Sequence, residues 1–182
     1  MSTSLNFVKT FGFATRNDIC KICGKEIKIG ELVIYYYSKH QVHCTCYFSK
    51  QLSTRRDVDK VLEKVKYSLD YVNEYLRICS KLLNYLKKLK NCAKGRRVSI
   101  KGKAICYYMN IDEVMKVNRV LLIVSKICEL NSNSNSKILS RLVINREDFD
   151  KVINCVEKFK LILENTKKDL EEILTNGVSK RG

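Results

Sequence analysis

The sequence predicts a mainly α protein fronted by a small N-terminal α+β module, with long helices in an antiparallel helical bundle or coiled coil. Three observations carry that expectation. Proline is absent from all 182 residues, so nothing in the chain interrupts a long helix. From about Asp57 onward, apolar residues recur by sevens. The first fifty residues differ in kind, holding both histidines, four of the nine cysteines, and Gly12, Gly24 and Gly30. A hydrophobic content of 45% is that of a folded chain.

Within the front module, Glu31-Leu-Val-Ile-Tyr-Tyr-Tyr37 is β-branched and aromatic and follows Lys28-Ile-Gly30. It reads as a strand entered from a turn. Between about Asp57 and Lys90, Val58, Val65, Val72, Cys79 and Leu86 form a heptad row. Val61, Tyr75, Leu82 and Leu89 lie three positions further on, and Leu62, Leu69, Leu76 and Leu83 widen the stripe. Such a stripe demands a packing partner, another helix of the chain or a second copy.

Past Asn91 the pattern breaks. Val98-Ser-Ile100, Lys101-Gly-Lys103 and Ala104 to Met109 read as a hairpin turning at Gly102. A second helix is expected from Ile111 to Leu130, opened by Asp112 and Glu113. Asn131 to Ser136 alternates Asn and Ser and reads as a loop, followed by a short helix over Lys137 to Val143. Asn145 and Asp148 suggest an N-cap for a last helix reaching Thr175. In that helix Phe149, Val156, Leu163 and Leu170 repeat by sevens, with Val152, Phe159 and Ile173 beside them. Asn176-Gly177 reads as its stop. The expected organisation is thus a module over 1–52, a helical bundle over 53–176 carrying a basic hairpin or loop at 91–110, and a basic tail over 177–182.

The formal net charge is +16, which favours polyanionic partners. Met1 to Val8 has no signal-peptide pattern, and no apolar run approaches the roughly 18 residues of a membrane span. An intracellular location, in cytoplasm or nucleoid and nucleus, is expected. Reduced thiols are the rule there, so clustered cysteines point to metal and scattered ones to small core residues.

The cluster is specific. Cys20-Lys-Ile-Cys23-Gly24 is a two-thiolate knuckle whose glycine permits a left-handed turn. About twenty residues on, His40-Gln-Val-His43-Cys44-Thr-Cys46 offers four candidates for two places. His43 and Cys46, three apart, share a side if a helix starts at Cys44. Cys44 with Cys46 is the alternative, and it requires an extended segment. Four protein ligands rich in thiolate make a closed, structural zinc site, since a catalytic zinc keeps a position open. The expected zinc ligands are therefore Cys20, Cys23, His43 and Cys46.

Residues 12–50 resemble the DNA-break-sensing zinc fingers of poly(ADP-ribose) polymerase and DNA ligase III. The likeness lies in Cys20-Lys-Ile-Cys23, Ile27, the strand with Leu32 and Ile34, and His43-Cys-Thr-Cys46 followed by Tyr47 and Phe48. It implies that Ile27, Leu32 and Ile34 are core positions, and that Arg16 stands near a phosphate-binding arginine of that family.

A second basic feature runs from Arg77 to Lys103, without an acid between Glu74 and Asp112. Lysine and arginine neutralise phosphates and release counterions. The expected function is non-enzymatic binding of nucleic acid, DNA ahead of RNA, with zinc as cofactor. The contacts would come from Arg16, Lys21, Lys25, Lys28, Arg55, Arg56, Arg96, Arg97, Lys101 and Lys103. The long helices would mediate self-association as a homodimer, and the alternative is a zinc-stabilised protein-interaction adaptor using the heptad faces. Cys79, Cys92, Cys106, Cys128 and Cys155 read as inert core thiols. Both histidines lie in the module, so Cys–His catalysis lacks a partner.

Overall fold

The computed structural model describes residues 8–36, 40–54, 57–92, 97–101, 111–129, 141–145 and 149–179. The order is β1 (Val8–Phe13), β2 (Asp18–Ile19), β3 (Glu26–Ile27), β4 (Leu32–Tyr36), β5 (Gln41–His43), α1 (Cys44–Ser53), α2 (Val58–Cys92), β6 (Arg97–Lys101), α3 (Ile111–Ile127), β7 (Arg141–Asn145) and α4 (Phe149–Ser179). This is a mainly α protein with a small N-terminal α+β module. No described helix is long and apolar enough to cross a membrane.

The chain divides into two compact units, one of residues 1–73 with 162–182 and one of residues 74–161. In the first, β4 is the central strand of an antiparallel sheet ordered β1-β4-β5. It earns the centre by being apolar along its length: Leu32, Val33 and Ile34 are all buried. Gly30 turns the chain into it at a φ of 94°, where a side chain would be strained. Phe11 and Phe13 of β1 set their rings 4.9 and 5.4 Å from Tyr71 of α2, so the module and the first part of α2 share a core.

Most positions of the heptad rows are buried as their spacing requires, while Val58, Leu89 and Ile173 are half-buried. Val65, Val72, Cys79 and Leu86 are fully inaccessible, and so are Phe149, Val156, Leu163 and Leu170. The parts of the two long helices that lie in the second unit run antiparallel. In the second unit Lys90 pairs with Asp150 and Lys87 with Glu157, at 2.6 and 3.6 Å. In the first, Gly177 meets Leu62.

Gly177 corrects the expected helix stop. The helix runs through it to Ser179, and a Cβ there would stand 2.5 Å from Leu62 Cδ2 and 3.6 Å from Leu52 Cδ1. The glycine therefore serves close packing of α4 on α1 and α2, rather than termination, and the segment from 177 is helix as far as 179 rather than tail.

The strands of the second unit bring two further corrections. β6 pairs antiparallel with β7, so Arg141 to Val143 are strand rather than helix, and Asn145 ends a strand rather than capping α4. The run Leu-Val-Ile satisfies a strand better than one helical turn, and β6 supplies its hydrogen-bonding partner. The expected second arm of the hairpin at 104–109, the Asn/Ser loop at 131–136 and Asp148 lie outside the described residues. Cys128 and Cys155 also depart from the expected reading, because they form a disulfide across 27 residues that joins the end of α3 to α4. Cys79 is the buried thiol expected, pushed up to about 12 by burial.

Candidate metal centre

The knuckle is built by backbone hydrogen bonds. Cys20 N–H donates to the Lys25 carbonyl and Gly24 N–H to the Cys20 carbonyl, both at 2.9 Å. Gly24 takes a φ of 72° to close the turn, as its place after Cys23 implies. The second half of the site comes from the junction of β5 and α1. His43 sits at the N-cap position of α1 with extended backbone, φ −56° and ψ 136°, and Cys46 follows three residues into the first turn. The helix begins at Cys44, the condition under which His43 and Cys46 share a side.

One ligand atom from each of Cys20, Cys23, His43 and Cys46 lies within 4.8 Å of the other three. His43 Nδ1 is 3.4 Å from Cys23 Sγ and 3.8 Å from Cys46 Sγ. A tetrahedral ion with metal–sulfur and metal–nitrogen bonds of about 2.3 and 2.0 Å separates its donors by about 3.5–3.8 Å. The side chains therefore fit such an ion. Cys20 is buried, Cys23 exposed, and His43 and Cys46 are intermediate.

The electrostatics ask for a cation. Burial raises the Cys20 thiol, but the backbone N–H groups of Cys23, His43 and Ile22 outweigh it and bring it down from 9.0 to about 6. Cys46 is pushed up to about 12, first by burial and then by the Cys23 and Cys20 sulfurs beside it. Three sulfurs this close cannot all ionise without a positive charge between them. A metal ion bound there would supply it.

Cys44, the alternative ligand, turns away. It is fully buried, its sulfur lies 4.0 Å from Ser68 Oγ on α2, and burial pushes it up to about 12. His40 is exposed.

Glu31 is a member of the site that spacing rules do not reveal. Its Oε2 accepts the Lys28 N–H at 2.8 Å and stands 3.2 Å from His43 Nε2. The strand register explains the meeting. Val33 pairs with His43, and Glu31, two residues earlier, falls on the same side. A carboxylate on one imidazole nitrogen fixes the tautomer and leaves the other free for a metal. Beside this pair a cleft of about 130 Å³ is lined by Thr45 and, from α4, Asn165, Thr166 and Asp169.

Of the expected phosphate-binding residues, Arg16, Lys21, Lys25 and Lys28 are all exposed on the module. Arg97 and Lys101 are the first and last residues of β6. Arg55, Arg56, Arg96 and Lys103 lie outside the described residues. Comparison of the chain with protein-family models, curated proteins and solved structures found no match.

Proposed function

We propose that the protein is a non-enzymatic nucleic-acid-binding protein whose N-terminal finger is held by one structural zinc ion. Three thiolates and an imidazole form a donor set suited to zinc, and four protein ligands leave no open position for catalysis. Binding of zinc to such a site supplies roughly 10–16 kcal/mol of apparent free energy. That is ample to order a knuckle whose β2–β3 ladder is two residues long.

The observation that carries the binding reading is the cationic surface on this rigid support. Arg16, Lys21, Lys25 and Lys28 are exposed, and none forms an ion pair with a described carboxylate. Against them stand exposed Glu26 and half-exposed Asp18. With the net charge of +16, this surface suits phosphates, which it would neutralise with release of counterions and without reading bases. The likeness to the fingers of poly(ADP-ribose) polymerase and DNA ligase III, carried by the ligands and by Ile27, Leu32 and Ile34, supports DNA as the polyanion. Ile27, Leu32 and Ile34 are buried, as that likeness implies.

The adaptor is the second reading, and several of the heptad positions it would use, Val65, Val72, Leu163 and Leu170 among them, are buried inside the chain. The test is binding of the zinc-loaded chain to duplex, nicked and single-stranded DNA and to RNA over a salt series. The expected result is DNA affinity falling steeply with salt. Affinity that is absent at low salt for every nucleic acid overturns the proposal.

A further inference from the structure

The metal centre presents its sulfurs to solvent unequally. Among the described free thiols, Cys20, Cys44 and Cys79 are buried, Cys46 is half-buried and Cys23 is exposed. Cys23 lies between β2 and β3, in the turn that Gly24 closes. A metal-binding cysteine acts as a thiolate, the form that oxidants attack, and susceptibility follows thiolate character and exposure. Cys23 joins both properties, whereas Cys44 and Cys79 are buried and stand outside the metal-binding group.

A second sulfur is in place to complete the reaction. The Cys20 sulfur lies within 4.8 Å of that of Cys23. It accepts the His43 N–H at 3.4 Å and the backbone N–H groups of Ile22 and Cys23, so it is held against the turn that carries Cys23. The Cys46 sulfur is also within 4.8 Å, but it belongs to α1. A bond to it would tie the turn to the helix, whereas a bond to Cys20 stays inside the turn.

We infer that Cys23 is an oxidative modification site, at which hydrogen peroxide converts Cys20 and Cys23 into a disulfide and so frees the zinc ion. This rests on the structural-zinc part of the proposed function and is independent of nucleic-acid binding. In the first step the Cys23 sulfur attacks one peroxide oxygen; an S–O bond forms, the O–O bond breaks and hydroxide leaves. In the second the Cys20 thiolate attacks the Cys23 sulfur; an S–S bond forms, the S–O bond breaks and a second hydroxide leaves. The two sulfurs together lose two electrons, and the peroxide gains them. His43 and Cys46 then remain as ligands, two short of the four that a closed site uses.

The experiment treats the zinc-loaded 182-residue chain with hydrogen peroxide at neutral pH. A chromophoric zinc indicator reads the freed ion, dimedone traps sulfenic acid, and a peptide map locates the trap and the disulfides. The expected result is label at Cys23 ahead of every other cysteine, then a Cys20–Cys23 disulfide with zinc release in step. Cys44→Ser should leave the release rate unchanged. Cys23→His keeps a ligand suited to zinc and should slow release by about tenfold or more.

First label at Cys46, or a disulfide joining Cys23 to Cys46, overturns the inference. So does zinc that stays bound after Cys23 is oxidised. If Cys23→His holds no zinc, the wild-type map decides. A wild-type chain that never holds zinc overturns the metal centre as well, whereas one that holds zinc and whose Cys23 resists peroxide overturns this inference and leaves the metal centre standing.

Discussion

Glu31 Oε2 stands 3.2 Å from His43 Nε2, and this contact decides which imidazole nitrogen faces the sulfurs. With Nε2 held by the carboxylate, Nδ1 is the atom turned toward Cys23 and Cys46. Removing such a partner typically costs 10–100-fold in metal affinity. Glu31→Ala should weaken zinc binding by about that factor in competition with a chromophoric chelator. Glu31→Gln, which still accepts the Lys28 N–H, should lose less. Unchanged affinity in both variants would mean that the carboxylate does not orient the ligand.

Cysteine reactivity separates ligands from core thiols. After chelation at pH 8, exposed Cys23 and Cys20, whose thiol is brought down to about 6, should be alkylated ahead of Cys46, which is pushed up to about 12. Cys44 and Cys79, each held at about 12 by burial, would be ionised to only about one part in ten thousand and should react slowly. The sign of the pH effect follows. Above about pH 9 the unfolded chain loses thiol protons that the folded chain keeps, so these two residues make stability fall as pH rises from 9 toward 12. Urea melts of the chelated protein across that range check the direction, and rapid labelling of Cys44 would contradict its placement.

The contact of Gly177 with Leu62 predicts overpacking. Gly177→Leu should destabilise by about 1–3 kcal/mol. Gly177→Ala should cost less, because alanine regains about 0.8–1 kcal/mol of helix preference. Chemical denaturation measures both. A Gly177→Leu variant as stable as the parent would show that α4 does not pack there.

The Cys128–Cys155 bond closes a 27-residue separation, for which loop-closure entropy gives about 3–4 kcal/mol. A non-reducing peptide map should recover the two cysteines in one linked pair. Reduction should lower the midpoint of unfolding monitored in α3 and α4, whereas free thiols at both positions in oxidised protein would contradict the bond.

Much of this was legible in the chain. Heptad rows are a local signal summed over many turns, and Val65, Val72, Leu163 and Leu170 went where the period sent them. The paired spacing of Cys20 and Cys23 with His43 and Cys46 was equally local, and with the helix starting at Cys44 it is His43 that gathers with the three cysteines in a group able to hold a metal. What stayed hidden was non-local. Arg97 finds Asn145 through a pairing that no window of the sequence contains. Glu31 meets His43 only through strand register. Cys128 and Cys155 sit on different helices, and Asn-Gly at 176–177 carries a turn signal that tertiary packing overrides.

The metal content of the purified 182-residue chain is the decisive measurement. One zinc ion per chain is expected, retained in Cys44→Ser and lost in a variant carrying Cys20→Ser and Cys46→Ser. A chain that holds no zinc, or one whose zinc depends on Cys44 and not on His43, would contradict it.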